Sequence, residues 1–203
     1  MRLRYEDPLD FIETISKKNK PEVIHTCKDL ILFTYPQSKK DKLTISTVDY
    51  SELTPGRWLS NNVVDFYVKY LEENCTVDIL RKVGFLSSLF YFSLEREARK
   101  PATERNYQIL SGWTREMRLG RRGSPTIIIV PVVRHSHWVA LVAVLQFNLI
   151  VVLDSLGNQD GEPREAVLFR NFLADELNVE GHNLDILKPP LPLQPNGCDC
   201  ALL

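Results

Sequence analysis

Residues 126–154 read TIIIVPVVRHSHWVALVAVLQFNLIVVLD and form three β-prone runs in close succession. The first run, Thr126–Val133, is rich in β-branched residues and is typical of a strand covered on both faces. The other two runs are His137–Leu145 and Asn148–Leu153, with a tight turn between them at Gln146–Asn148. A short turn between two such runs predicts an antiparallel hairpin in the central sheet.

Segments on both sides of this sheet are predicted to be helical. The predicted helices are Pro8–Ser16, Trp58–Glu73, Phe85–Leu94 and Glu162–Leu177. Two further short strands are expected at Leu30–Tyr35 and Thr44–Val48, and the charged stretch Glu95–Asn106 is predicted to be an exposed loop. Helices before and after a central sheet indicate an α+β domain, with a mostly antiparallel sheet flanked by helices.

Length and composition are those of one ordinary folded domain. The chain has 203 residues, 44% of them hydrophobic and 25% charged, which excludes disordered and collagen-like chains. Its net charge of −1 gives no argument for binding nucleic acid, and no apolar run is long enough to cross a membrane. The charged N-terminus lacks a signal-peptide core, and the four cysteines are expected to be reduced thiols in the nucleus or cytosol.

The residues that favour chemistry lie in the second half of the chain. A thiol nucleophile needs a base that accepts its proton and a carboxylate that orients the base. His137 opens the first strand of the predicted hairpin and Asp154 closes the second, so antiparallel pairing brings them together. The thiol must come from the distant segment that holds Cys198 and Cys200, where the amide of Gln194 is a possible oxyanion donor.

Other interpretations of these residues stay open at this point. His135 and His137 repeat with the period of a strand, and with Cys198 and Cys200 they would make a Cys₂His₂ zinc set. The one-residue spacer between the cysteines is a poor match to structural zinc sites, so no metal is expected. A disulfide between the same cysteines would close a strained ring. A surface histidine, a turn-capping aspartate and a buried thiol are the ordinary structural alternatives.

Three short motifs together resemble a known family. They are His137-Trp138, Asp154-Ser155-Leu156-Gly157 and Gln194-Pro195-Asn196-Gly197-Cys198-Asp199-Cys200. Their order and spacing resemble those of the ubiquitin-like-protein-specific cysteine proteases, the SUMO (sentrin) protease family. The resemblance implies that Cys200, which follows an aspartate, is the nucleophile. It also implies that His137 is the base, Asp154 its partner and Gln194 part of the oxyanion hole.

The resemblance extends upstream and covers the chain from about residue 30 onward. Residues 58–67 (WLSNNVVDFY) resemble the start of a family helix, and 85–91 with 112–115 resemble the subgroup that edits SUMO chains. By the same resemblance, Trp58 and Trp138 enclose the Gly-Gly tail of the modifier in a channel too narrow for larger side chains. Packing in the core is the alternative role for both tryptophans.

The family implies a papain-like α+β fold and cleavage after the Gly-Gly tail of SUMO or a related modifier. We therefore expect residues 1–29 to be an N-terminal extension and residues 30–203 to be the catalytic domain. The expected enzyme is a monomer that uses no cofactor and works in the nucleus or cytoplasm on SUMO and its conjugates. The alternatives are a protease for ubiquitin or a Nedd-type modifier, and an inactive module that binds the modifier.

The sequence departs from the family pattern at three places. Ser60-Asn61 stands where the family has Asn-Asp, and Ala201 stands where it has glycine. The family continues through a helix after the cysteine, whereas this sequence ends at Leu203. We therefore expect the C-terminal helices to be missing, which leaves the activity of the 203-residue chain open.

Overall fold

The computed structural model describes residues 29–36, 42–157, 161–179 and 184–202. The strands are β1 (Ile31–Tyr35), β2 (Leu43–Ser46), β3 (Val83–Phe85), β4 (Ile127–Arg134), β5 (His137–Val144), β6 (Leu149–Leu153) and β7 (Asp185–Leu187). The α-helices are α1 (Thr47–Glu52), α2 (Asn61–Asn74), α3 (Val77–Leu80), α4 (Ser88–Ala98), α5 (Ser111–Thr114) and α6 (Arg164–Leu177). None of the helices in these ranges is long and apolar enough to cross a bilayer.

Five strands form the central sheet in the order β3-β4-β5-β6-β7. The two inner pairings, β4 with β5 and β5 with β6, are antiparallel as predicted. The two outer pairings, β3 with β4 and β6 with β7, are parallel. The sheet is therefore mixed, and the expectation of a mostly antiparallel sheet holds only for its three central strands. The edge strands are parallel because each is separated in sequence from its neighbour by long connections that contain helices.

The hydrophobic core lies between one face of this sheet and helices α4 and α6. Ile128, Val130 and Val132 of β4 point into it and are fully buried. Phe90 of α4 packs edge-to-face against Phe172 of α6 with ring centroids 4.9 Å apart. The other face of β4 is only half-buried at Ile127, Ile129 and Val133, so the prediction that both faces are covered is correct for one face.

A smaller core joins the two-stranded β1–β2 sheet to α2. Phe33, Ile45 and Phe66 are its buried members, and the rings of Phe33 and Phe66 meet edge-to-face at 5.5 Å. The predicted strand Thr44–Val48 ends at Ser46, because Ser46 caps α1 in a reciprocal capping box with Asp49. The expected helix at residues 8–16 lies outside the described residues.

Three predicted helix boundaries in the first half of the chain are wrong. Helix α2 begins at Asn61 rather than Trp58, because Ser60 is an extended N-cap residue with ψ 165°. Phe85 belongs to β3, and the following helix starts only at Ser88. That helix then continues to Ala98, so the exposed loop predicted from Glu95 onward begins too early. Glu97 is 2% exposed, and it accepts hydrogen bonds from the Asn106 amide and the Lys100 ammonium that compensate its burial.

Candidate active site

The central hairpin places His137 beside Asp154. Ala140 of β5 pairs with Leu153 of β6, so the start of one strand lies next to the end of the other. Nε2 of His137 is 2.7 Å from Oδ1 of Asp154. The backbone N–H of Leu156 donates to the same oxygen at 2.9 Å and fixes the carboxylate. The predicted proximity of this histidine and aspartate is confirmed.

A two-residue turn leads into His137. His135 and Ser136 form this turn with φ angles of +48° and +60°, and His135 is exposed. The prediction that His135 lies on the strand and shares a face with His137 is wrong, because β5 begins only after the turn. Within the described residues, no group of three or more histidine, cysteine and acidic side chains is placed to hold a metal ion.

Cys200 is brought to this hairpin from the far end of the chain. It lies in a 3₁₀ turn, Asp199–Leu202, and is 7% exposed. The backbone N–H of Trp138 donates to the Cys200 sulfur at 3.3 Å. Because Trp138 directly follows His137, this contact fixes the thiol at the start of β5. The structure therefore brings Cys200, His137 and Asp154 into one site.

The loop before Cys200 is shaped by the side chain of Asn196. Its Oδ1 accepts hydrogen bonds from the backbone N–H groups of Cys198 and Asp199, both at 2.9 Å. Its Nδ2 donates to Oδ2 of Asp199 at 2.6 Å. The sequence analysis names Asn196 only as part of a motif, although asparagine side chains often accept a hydrogen bond from the backbone two residues on, as in an Asx turn.

Cys198 has different surroundings from Cys200. It is half-buried, and its sulfur lies 3.1 Å from Oδ1 of Asn196. Desolvation and the neighbouring Asp199 carboxylate raise the pKa of the Cys198 thiol. A raised pKa reduces the thiolate fraction at neutral pH. Of these two thiols, Cys200 is the one in contact with the hairpin that carries the histidine.

Gln194 is held by the residue that follows Asp154. The hydroxyl of Ser155 donates to Oε1 of Gln194 at 2.7 Å, and the Gln194 backbone N–H donates to the Ser155 carbonyl at 2.9 Å. Nε2 of Gln194 donates to the carbonyl of Asn196. These bonds tie the loop to the end of β6, and the part of Gln194 in an oxyanion hole stays a prediction. Ser155 was missed as a positioning residue.

The two tryptophans link three segments around the thiol. Trp58 is 54% exposed, and its indole N–H donates to the carbonyl of Gly197 at 2.7 Å. Trp138 is 5% exposed, and its indole N–H donates to the carbonyl of Leu59 at 3.0 Å. The segment before α2 is thereby fixed to both the hairpin and the cysteine loop. The exposure of Trp58 argues against simple core packing, whereas Trp138 is packed in the interior.

A cavity of about 250 Å³ opens next to the thiol. Cys200, Ala201 and Trp138 border it, and the half-buried face of the sheet forms part of its wall. The remaining residues that line it are Val64, Pro131, Val139, Ala140, Leu153, Ser155, Leu191 and Pro192. Most of these lining residues are apolar, so the cavity beside the cysteine turn has a mainly apolar wall.

A thiol, an imidazole and a carboxylate that meet in one site form the catalytic set of a cysteine peptidase. The family described as the Ulp1 protease family, C-terminal catalytic domain, matches residues 57–203. The chain belongs to this family.

Among curated proteins, the chain is similar to ubiquitin-like-specific protease 1 of Saccharomyces cerevisiae, with 27% identity over 166 residues. That match covers 80% of this chain and 25% of the yeast protein. Human sentrin-specific protease 2 is 28% identical over 209 residues, which cover 98% of this chain and 32% of the human protein. The chain thus spans about a quarter to a third of the length of these relatives.

Solved structures show the same fold. The SUMO protease Ulp1 with its catalytic cysteine oxidised to a sulfinic acid matches all of this chain and 80% of its own, with a TM-score of 0.68 and 21% identity. The catalytic domain of the Ulp1-like SUMO protease of Chaetomium thermophilum matches with a TM-score of 0.68 and 16% identity. That match covers 100% of this chain and 76% of the other. The expected papain-like α+β fold is confirmed.

Proposed function

We propose that this chain is a cysteine isopeptidase that cleaves after the Gly-Gly tail of SUMO or a related ubiquitin-like modifier. One observation carries the proposal. The N–H of Trp138 holds the buried Cys200 sulfur next to His137, and His137 is hydrogen-bonded to Asp154. Relatives named as ubiquitin-like-specific and sentrin-specific proteases support the substrate class. The partner is the modifier and its conjugates, and no cofactor is needed. The described cysteines are free thiols, in accord with work in the nucleus or cytoplasm.

The proposed chemistry is acyl transfer through a thioester. With its proton on Nε2, His137 donates to Asp154 and keeps Nδ1 free to take the proton of the Cys200 thiol. The thiolate attacks the carbonyl carbon of the last glycine, and His137 returns the proton to the leaving lysine amine. Water, activated by the same imidazole, then hydrolyses the thioester and releases the modifier carboxylate and the free thiol.

We assign the selection of the glycine tail to the two tryptophans. The hydrogen bond from Trp58 to Gly197 holds an indole across the approach to the cysteine loop. The bond from Trp138 to Leu59 fixes the second indole. In this proposal the glycine tail lies between the two anchored indoles, in a channel too narrow for larger side chains.

The test is covalent capture by SUMO that carries a thiol-reactive group at its C-terminus, run beside the same ubiquitin reagent. We expect an adduct with the SUMO probe in the parent chain and in Cys198→Ser, and none in Cys200→Ser. The two serine variants are matched, because the same chemical change is made two residues apart. An adduct that depends on Cys198 would contradict the assignment of the nucleophile, and capture by ubiquitin alone would contradict the substrate.

One observation favours an inactive modifier-binding module as the second candidate. The Gln194 side-chain amide donates to the carbonyl of Asn196 in this structure, so one of its two N–H groups is already engaged. A binding module predicts saturable binding of unmodified SUMO with no adduct to the reactive probe. The proposed peptidase predicts both binding and adduct formation, so the two measurements together separate the candidates.

A further inference from the structure

The turn that leads into His137 is strained. His135 and Ser136 both adopt positive φ, at +48° and +60°. Residues other than glycine seldom occupy this region of backbone conformation. Two-residue hairpin loops with this conformation usually carry Asn-Gly. Because strained backbone persists only where the surroundings impose it, contacts outside the turn must hold this one in place.

A partly buried ion pair holds Arg134, the residue that precedes the turn. Arg134 is the last residue of β4 and pairs directly with His137 across the ladder. Its Nη1 donates to Oε2 of Glu165 at 2.7 Å. Glu165 lies in the first turn of α6 and its side chain is only 1% exposed. The tip of the β4–β5 hairpin is therefore connected to helix α6, which begins 30 residues after Arg134, at Arg164.

Because the Glu165 carboxylate is buried, it requires the guanidinium of Arg134 as its partner. A buried carboxylate that loses its cationic partner is strongly unfavourable, so the guanidinium of Arg134 must stay where Glu165 places it. Residues directly opposite each other on an antiparallel pair project from the same face of the sheet, which puts Arg134 and His137 side by side. Arg134, Glu165 and Asp154 also line one cavity of about 120 Å³, so the ion pair adjoins the carboxylate that orients His137.

We infer that Glu165 is a positioning residue for the imidazole of His137. It acts through Arg134, by holding the strained turn in the conformation that aims His137 at both Asp154 and Cys200. It contacts neither substrate nor thiol. The inference rests on the proposed function for the role of His137, and it adds a residue on α6 that the family motifs in this sequence do not include.

The test measures alkylation of Cys200 by iodoacetamide, with cleavage of a SUMO fusion as a second readout, in a Cys198→Ser background. Glu165→Gln should slow alkylation by about tenfold, and lower kcat with little change in KM, because small displacements of a reacting group are costly. Adding His135→Asn and Ser136→Gly should restore the rate to within about threefold, because Asn-Gly forms this turn without help. Glu162→Gln removes the pair with Arg170 near the same end of α6 and should change nothing.

A second variant covers the case in which Glu165→Gln fails to fold. Arg134→Met combined with Glu165→Met removes both charges and leaves none unpaired, and it should show the same loss and the same recovery by Asn-Gly. Unchanged reactivity in either variant overturns the inference, as does a loss that Asn-Gly does not restore.

The variant His137→Ala distinguishes failure of the positioning role from failure of the proposed function. If His137→Ala keeps full thiol reactivity and cleavage, the proposed function fails. If His137→Ala loses both while the Glu165 variants react like the parent chain, only the positioning role of Glu165 fails.

Discussion

The two halves of the site are built in different ways. His137 begins β5 and Asp154 directly follows β6, and the register of these strands is set by backbone pairing and by a buried face. Gln194 and Cys200 lie on an irregular segment that pairs with none of the strands in the described part of the chain. Side chains shape that segment, chiefly Asn196 and Ser155. Substitutions in the buried strands of the hairpin half should therefore lower the free energy of unfolding strongly, whereas substitutions in the loop half should disturb the geometry of the site with only a small loss of global stability.

Asp154→Asn should give the largest effect on activity. The amide removes the negative charge and favours the wrong histidine tautomer, which in a comparable triad costs on the order of 10⁴ in turnover. Because His137 and the Leu156 N–H share Oδ1 of Asp154, an amide group turned toward His137 also removes the acceptor of the Leu156 N–H. The unfolding temperature should therefore fall by a few degrees at most. Turnover of a SUMO fusion and a thermal melt measure the two quantities. A loss of less than about tenfold would mean that Asp154 does not orient the base.

Gln194→Ala addresses the loop half at the predicted oxyanion donor. Removal of one such donor typically lowers turnover by roughly 10²–10³, and the effect should appear in kcat rather than in the affinity for SUMO. Ser155→Ala is the matched control, because it removes the bond that orients Gln194 and keeps the amide itself. It should cost less than Gln194→Ala. Equal turnover in Gln194→Ala and the parent chain would leave Gln194 as a loop residue only.

Asn196→Ala tests whether the loop can lose its geometry while the fold stays intact. The change removes the acceptor of two backbone N–H groups, so we expect about a tenfold slower reaction with the SUMO probe. The free energy of unfolding should fall by about 1 kcal/mol, since the site is exposed to water.

The contrasting variant is Ile150→Ala in the fully buried part of β6. It should cost about 2–5 kcal/mol in a urea titration, because it leaves a cavity in the core. Similar stability losses in the two variants would contradict the difference between the halves.

The same division explains what the sequence alone could predict. The strands β4 to β6 and the helix α6 have long, regular patterns, and their prediction is confirmed together with the His137–Asp154 contact. Strands β3 and β7 have three residues each, too few to show a period of two, and both were missed.

Two parts of the site leave no local signal in the sequence. The contact of Cys200 with the hairpin uses the main-chain N–H of Trp138, which no residue type reveals. The Arg134–Glu165 pair joins residues whose proximity depends on the tertiary packing of α6. The buried Glu97 was likewise assigned to an exposed loop, because only its partners show that the charge is compensated.

The smallest expected effect separates two thiols within the loop half. Desolvation and the Asp199 carboxylate raise the pKa of Cys198, so this thiol should be less reactive at pH 8 than an ordinary one. In a Cys200→Ser background, Asp199→Asn removes a negative charge that disfavours the thiolate. The pKa should fall, and alkylation of Cys198 at pH 8 should rise by about two- to threefold, as expected for a partly exposed charge pair. Mass spectrometry of the peptide after Lys188 follows the rate, and raising the salt concentration should shrink the difference. A rate that stays constant would mean that desolvation alone controls this thiol and that Asp199 serves only to bind Asn196.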